Sequence, residues 1–479
     1  MKLVNCGSIS RYYAQTLALL YFPSSKFPEQ GDGGDGVYME LECKEKSGVL
    51  VGSAIIRTPD KEVCGEYALP GDAASYLGEK MQGCVAVGGA VLDAGSKLFG
   101  TVPPWGMLTG VRPAKMVMDI ADMSANGDIE AAARLMRRIF LCSEEKTELA
   151  ASCAGTEYGI INGDLRKQCS LYIAVPFCPT RCSYCSFVSF SSPRLLSMIP
   201  DYVDRLCDDI KYVAGVINKL GLTLKTVYIG GGTPTTLNAG QLERLLGTVA
   251  DSVDMSTVAE FTLEAGRPDT ITAEKMLLAR YMGVTRTSVN TQTLNDSVLS
   301  AIGRRHTAAD FFKAYDIVRA VGIKNVNVDL IAGLPGENSD SFASSVDGVC
   351  ALKPENLTVH TFYRKRAAEL TVKGQSTPAA PGMDVSASVD YSQKAVLSAG
   401  YRPYYMYRQK NTAENLENVG YALPGHECLY NICMMDEVHT VFGAGASAVT
   451  KLVDPCPKSE IGIKRICESK YPYEYLEAK

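Results

Sequence analysis

The chain has 479 residues, 46% of them hydrophobic, and 48 Lys and Arg against 53 Asp and Glu give a formal net charge of -5. That length predicts two or three domains with substantial cores, and the mild acidity excludes a basic stripe for nucleic acid or an anionic membrane surface. No uncharged apolar run reaches the roughly 18 to 20 residues of a spanning helix, and Met1-Lys-Leu-Val-Asn-Cys-Gly-Ser8 lacks a signal-peptide core, so a cytoplasmic protein without nucleic-acid or membrane partners is expected.

Residues 1–165 read as an α+β unit. Val37 to Cys43 and Val49 to Arg57 alternate as strands of a hairpin joined by Lys44-Glu-Lys-Ser-Gly48, and helical patterns dominate from about Ala73 to Cys153. Trp105-Gly-Met-Leu-Thr-Gly-Val-Arg-Pro113 holds the only tryptophan, predicted to anchor a core beside an ordered loop. The 16 cysteines are expected as reduced thiols rather than disulfides, with Cys84, Cys207 and Cys350 serving as small buried hydrophobes.

Residues 166–375 alternate strand-like and helix-like segments. Apolar or β-branched runs occur at Leu171 to Val175, Thr226 to Ile229, Glu260 to Glu264, Thr285 to Val289, Asn325 to Leu330 and Leu357 to Phe362. Between the first two, Tyr202, Leu206, Ile210, Val213, Ile217 and Leu220 recur at helical spacing, and later intervals carry similar stripes, such as Met276, Leu277 and Tyr281. Six strands and five helices imply right-handed βαβ crossovers and a parallel sheet, open or rolled into a partial (β/α)6 barrel. Ser376-Thr-Pro-Ala-Ala-Pro-Gly382 reads as a linker, and residues 376–479 as a small C-terminal α/β domain.

The residues suited to chemistry cluster at the carboxyl ends of these strands, the face on which parallel α/β barrels build active sites. Cys178, Cys182 and Cys185 follow the first strand with C-x3-C-x2-C spacing, Gly230-Gly-Gly-Thr-Pro234 follows the second, and Glu264 ends the third. Ser288, Asn290 and Gln292 lie at the fourth, Asp329 to Gly333 at the fifth, and His360 in the sixth. Three thiolates are one fewer than a cubane [4Fe-4S] cluster normally takes, which leaves one iron open. The alternatives are three buried cysteines in a cysteine-rich chain or a zinc knuckle, but zinc needs a nearby fourth ligand, and the next cysteine, Cys207, lies in a helical pattern.

The motifs together resemble a family. Tyr172-Ile-Ala-Val-Pro-Phe-Cys178, Tyr228-Ile-Gly-Gly-Gly-Thr-Pro-Thr235, Ile302-Gly-Arg-Arg-His-Thr307 and Val328-Asp-Leu-Ile-Ala-Gly-Leu-Pro-Gly336 look like those of radical S-adenosylmethionine (SAM) enzymes, and more narrowly of the oxygen-independent coproporphyrinogen III oxidase (coproporphyrinogen dehydrogenase) family. The N-terminal unit with Trp105 to Pro113 points to its HemZ-type branch. The resemblance implies a radical SAM barrel with a [4Fe-4S] cluster on Cys178, Cys182 and Cys185, its fourth iron chelated by SAM, and a second SAM on the substrate side. It implies SAM contacts from Tyr172, Gly230, Gly231, Gly232, Thr233, Glu264, Gln292, Arg304 and Asp329, with Ala332 and Gly333 beside the adenine.

The implied activity is anaerobic oxidative decarboxylation of coproporphyrinogen III propionates to vinyl groups through a 5′-deoxyadenosyl radical. The implied partners are a tetrapyrrole substrate and a reductant such as flavodoxin or ferredoxin, with residues 376–479 covering the substrate. Propionates call for cations, for which Arg364, Lys365, Arg366, Arg402 and Arg408 are candidates. His306 and His426 are candidates to meet a porphyrin or its iron. Phe187 stands where the best-defined bacterial enzymes of the group have a further cysteine, a shorter pattern shared with heme chaperones. A heme-binding chaperone and another radical reaction on a tetrapyrrole are therefore the alternatives.

Overall fold

The structure, a computed structural model, describes residues 1–6, 9–23, 25–28, 36–74, 76–124, 127–161, 164–185, 187–362, 383–409, 415–454 and 462–477. Two compact units result: residues 1–156 with 406–417, and residues 157–405 with 418–479. The linker expected at Ser376 to Gly382 lies outside the described residues.

In the first unit, β1 (Lys2–Cys6), β2 (Tyr38–Lys46), β3 (Val49–Arg57) and β4 (Glu62–Ala68) form a sheet in that order, parallel between β1 and β2 and antiparallel beyond. The expected hairpin is β2–β3. Its first strand runs on to Lys46 because Ser47 and Gly48, at φ 53° and 80°, reverse the chain in two residues rather than five. The helix Glu79–Phe99 packs on β3 and β4. Trp105 is buried, as expected of a core anchor, and its Nε1 donates to Glu417 Oε2 at 2.7 Å. The other oxygen of Glu417 takes Lys146 Nζ at 2.8 Å, with both side chains almost fully buried.

The strands β5 (Gln168–Val175), β6 (Thr223–Gly231), β7 (Glu260–Glu264), β8 (Arg286–Ser288), β9 (Asn325–Ala332) and β10 (Asn356–Thr361) are the six expected ones. They pair in parallel, neighbour by neighbour, in chain order. Their near-continuous burial is what a parallel sheet requires, since crossover helices cover it. The later strands β11 (Arg402–Arg408), β12 (Glu417–Ala422), β13 (Thr440–Ala444), β14 (Val449–Val453) and β15 (Ile463–Cys467) extend the same sheet, giving the order β11-β12-β10-β9-β8-β7-β6-β5-β13-β14-β15. The segment expected as a separate C-terminal domain thus shares this sheet, and β13 adds a seventh parallel strand beside β5.

The five expected crossover helices are Ile199–Lys219, Ala239–Ser252, Ala273–Tyr281, Ala308–Val321 and Ser339–Leu352. Capping boxes begin the second and fourth, on Asn238 with Gln241 and on Thr307 with Asp310. Two stripes differ from expectation. Leu277 and Tyr281 are exposed while Met276 and Ala279 are buried, and Leu220 is exposed as the residue ending its helix. A nine-residue helix is covered adequately by one large and one small side chain, so the other apolar residues face outward.

The helix Leu429–Asp436 carries Tyr430 onto Tyr228 of β6, with ring centroids 4.3 Å apart. Glu260, at the start of β7, accepts the backbone N–H groups of Leu429 at 2.9 Å and Tyr430 at 3.0 Å. A carboxylate therefore meets otherwise unpaired donors at the positive end of that helix.

Candidate functional site

The cysteine loop leaves β5 and is pinned on both sides. Gly232 N–H donates to Val175 O at 2.9 Å and Thr233 N–H to Phe177 O at 2.7 Å, so the glycine turn after β6 grips the start of the loop. Phe177 pairs with Phe190 as an isolated bridge, and Cys178 N–H donates to Phe190 O at 3.0 Å. In mid-loop, Ser183 N–H reaches Ile302 O at 3.0 Å. Gly232 has a structural duty beyond cofactor approach: a Cβ there would lie 2.5 Å from Phe177 O.

Donors surround the three free thiols. Cys178 Sγ lies 3.4 Å from Thr233 Oγ1, and Cys182 Sγ lies 3.4 Å from Arg267 Nη1. Cys185 is approached by the backbone N–H of Phe187. Burial pushes the thiols of Cys178 and Cys185 up, so ligation must expel their protons. Beside them, the buried Ser183 Oγ and Arg304 Nε have no hydrogen-bond partner among the described residues. Hydrogen-bond donors converging on sulfurs are the setting of a protein-bound iron–sulfur cluster, and this donor set fits one. Among the described residues no group of three or more His, Cys, Asp or Glu, the three cysteines included, is gathered tightly enough for a single ion.

The glycine turn connects the loop to the next two strand ends. Tyr172 and Tyr228 are register partners on β5 and β6 with rings 6.1 Å apart, and Tyr228 donates its hydroxyl to Glu264 Oε1. Gly230 leaves room for that carboxylate, since a Cβ would sit 3.0 Å from Glu264 Oε2. Burial pushes the Glu264 carboxyl up to about 7; the hydrogen bond from Tyr228 and the N–H of Gly231 oppose this, and the charge of Asp329 adds to it.

Asp329 on β9 accepts Asn290 Nδ2 and Asn327 Nδ2, both at 2.7 Å, and lies 3.8 Å from His360 Nε2. Burial alone would raise its pKa, but His360 and the amide and hydroxyl donors hold it below the usual carboxylate value. Gln292 continues this rank with a strained backbone, φ 74°, fixed by Gln292 N–H to Asp329 O at 2.9 Å and Ile331 N–H to Gln292 O at 3.0 Å. Ala332 is buried at the end of β9, and Gly333, at φ 86°, faces Val385 and Phe362 closely enough that a Cβ would lie 3.2 Å from the valine.

Arg304 is buried and braces several parts at once. Its Nη1 donates to Gly266 O at 2.9 Å and Asn290 O at 3.1 Å, and its Nη2 to Tyr184 Oη at 3.1 Å, inside the cysteine loop. Arg267 and Tyr184 are contacts that sequence reasoning missed; Arg267 stands between a glycine and a proline, three residues after the strand-end Glu264. His306 is buried, its pKa pushed down to about 4 by burial and by Arg304, and both ring nitrogens lack a partner among the described residues.

Other candidates lie elsewhere. His426 Nδ1 is 2.7 Å from Asn325 Oδ1, at the amino end of β9, opposite the cysteine rim. The expectation that it meets a porphyrin is therefore corrected: its Pro-Gly turn serves that opposite end of the sheet. Arg408, expected near propionates, is buried in the first unit and donates to Leu108 O at 2.6 Å and Asn415 O at 3.0 Å. Arg402 is exposed, and Arg364, Lys365 and Arg366 lie outside the described residues.

A family model described as "Radical SAM superfamily" matches residues 172–347. The chain is 36% identical over 358 residues to the oxygen-independent coproporphyrinogen-III oxidase-like protein HemZ of Bacillus subtilis (strain 168), covering 74% of this chain and 71% of that protein. It is 31% identical over 292 residues to the heme chaperone HemW of Lactococcus lactis, covering 59% of this chain and 70% of that one. Among solved structures, the coproporphyrinogen III oxidase HemN of Escherichia coli is similar with a TM-score of 0.48 and 23% identity, over 62% of this chain and 67% of that one. A three-thiol loop at the carboxyl rim of a parallel β/α sheet, with the matching family model, defines a radical SAM protein, a class that uses a [4Fe-4S] cluster and SAM. Within that superfamily the chain belongs to the oxygen-independent coproporphyrinogen III oxidase family, in its HemZ-type branch. Among the described residues, no helix is long and apolar enough to cross a membrane.

Proposed function

We propose that the chain is a radical SAM oxidoreductase of anaerobic heme metabolism that converts propionate side chains of coproporphyrinogen III to vinyl groups. When bound and supplied with one electron by the reductant, the cluster and SAM would provide the radical chemistry for removing a hydrogen atom from the propionate, whose CO2 would then leave with one electron passing to an external acceptor. Cys178, Cys182 and Cys185 ligate three irons. The carbonyls of Gly230 to Gly232, with Thr233, Glu264, Gln292, Arg304, Asp329 and Tyr172, hold SAM, and Ala332 and Gly333 leave room for its adenine. Glu264 is poised for an ammonium group: a cation beside its carboxyl would draw the pKa down from about 7 and fix the ionised form.

The observation that carries this reading is the rank of strand-end groups from Cys178, whose Sγ lies 3.4 Å from Thr233 Oγ1, along the glycine turn to Glu264, which takes the N–H of Gly231. Likeness to HemZ across 74% of the chain supports the substrate class. A heme-carrying role is the second reading, supported by the HemW relatives and by Phe187, an exposed phenylalanine two residues after Cys185.

The test is anaerobic reconstitution followed by SAM, a flavodoxin or chemical reductant, and coproporphyrinogen III. Formation of 5′-deoxyadenosine with protoporphyrinogen is expected. Deoxyadenosine without that product would move the assignment to another reaction on a tetrapyrrole, and stoichiometric heme binding with neither product would make the chain a carrier. Undiminished cluster loading in Cys182→Ala would remove the ligand assignment.

A further inference from the structure

We infer that Arg267 is a positioning residue that sets the reduction potential of the centre held by the cysteine loop, an inference that rests on the ligand assignment proposed above. Arg267 follows β7 and is 3% exposed. Its Nη1 lies 3.4 Å from Cys182 Sγ and donates to Thr180 O at 3.3 Å, while Nη2 donates to Thr180 Oγ1 at 2.7 Å. The guanidinium is thus locked to the residue two before Cys182 as well as to the sulfur itself. On its far side, Asp269 accepts from Nε at 3.2 Å and Nη2 at 3.4 Å.

The three sulfurs are consequently unequal. The hydrogen bonds to Cys178 come from the hydroxyls of Thr233 and Ser189 and that to Cys185 from a backbone N–H, all neutral, whereas Cys182 alone of the three takes its hydrogen bond from a cation; Arg267 acts on Cys178, and Arg304 on Cys185, through charge only. One-electron reduction adds negative charge to the centre and its sulfurs. A buried cation with an N–H aimed at one ligand favours that added charge, and hydrogen bonds to sulfur and net charge are the levers by which proteins tune such clusters. Asp269 works against it by compensating part of the guanidinium charge. The pair forms a balance: removing Arg267 makes the cluster harder to reduce, and removing the Asp269 charge makes it easier.

The test is a redox titration of the full chain, reconstituted and free of SAM, followed by electron paramagnetic resonance of the reduced cluster, with iron and sulfide counted for each variant. Arg267→Gln keeps a donor but loses the charge, and the reduction equilibrium should fall about tenfold, equivalent to about 59 mV for one electron. Arg267→Lys should stay within about threefold of wild type, and Asp269→Asn should shift about threefold in the opposite direction, both by the same charge argument. A purely structural brace would not produce shifts of opposite sign. Should Arg267→Gln hold no iron because Thr180 is released, Asp269→Asn decides alone: a rise supports the inference, and no change overturns it. A wild-type signal whose potential moves in no variant overturns the inference and leaves the ligand assignment standing. Wild-type protein that binds no cluster sinks both.

Discussion

Replacing Gly232 with alanine tests how the site is built. The new Cβ would lie 2.5 Å from Phe177 O and 2.8 Å from Phe177 N and C. All three are backbone atoms, so no side chain can swing away. Reaching an ordinary contact of 3.4 Å demands a shift of about 0.9 Å in the chain one residue ahead of Cys178. The bond from Thr233 N–H to Phe177 O lies in the same place. Overpacking of this kind costs about 1–3 kcal/mol, and a lost backbone hydrogen bond adds about 1 kcal/mol, so a destabilisation of about 2–4 kcal/mol is expected. Iron bound per chain after reconstitution should drop severalfold, because the first ligand moves relative to the other two. Gly247, inside the helix Ala239–Ser252, is the control: a Cβ there meets nothing within 4 Å, and Gly247→Ala should stabilise by about 1 kcal/mol. Urea unfolding of the apoprotein and an iron assay read both effects. Wild-type stability with full iron content in Gly232→Ala would refute the reasoning.

Three further outcomes follow from buried polar groups. Burial pushes Glu337, which has one oxygen without a partner among the described residues, from 4.5 up to about 7. The folded state therefore binds that proton more tightly than the unfolded one, and stability should decline between about pH 4.5 and 7; Glu337→Gln should flatten this decline and exceed wild type by about 3 kcal/mol at pH 8 in urea titrations. Lys146→Met strips the cation from buried Glu417 and should cost about 3–5 kcal/mol, much of it recovered in the double variant with Glu417→Gln; simple additivity of the two would count against the pairing. Tyr202 Oη donates to Ala174 O at 2.9 Å and accepts Ala446 N–H at 2.8 Å, so Tyr202→Phe should lose about 1–3 kcal/mol in calorimetry, and an unchanged melting temperature would argue against that clamp.

Much of the second unit was readable because a parallel β/α sheet writes short apolar runs for its buried strands between stripes at helical spacing, and β5 to β10 stand close to where those runs put them. The stripes failed where a helix was short, as with Leu277 and Tyr281, since nine residues do not carry enough turns to separate a buried face from an exposed one. That the cysteines, Gly230, Glu264 and Asp329 would share one rim was legible because each lies at or near the carboxyl end of a strand in a parallel sheet. Arg267 was not, because an arginine after a glycine carries no pattern; its meaning comes from Thr180 and Cys182, more than eighty positions away. His426 misled for the same reason in reverse: the Pro-Gly-His segment looked functional in line, while only the sheet reveals which rim it occupies. β13 was invisible as a partner of β5 because pairing across so long a separation leaves no local trace.

That pairing has a consequence for how the molecule comes into being. Thr440 to Ala444 lie against Cys169 to Ile173, so the strand that launches the cysteine loop waits for about 270 residues of further synthesis before its second neighbour exists. On the ribosome, at about 5–20 residues per second, this is an interval of many seconds. Throughout it β5 offers an open edge, the kind of surface that recruits stray strands, with three unligated thiols just beyond it. Translation speed and access to iron and sulfide are thereby tied together: β5 gains its second neighbour only once nearly the whole sheet has left the tunnel.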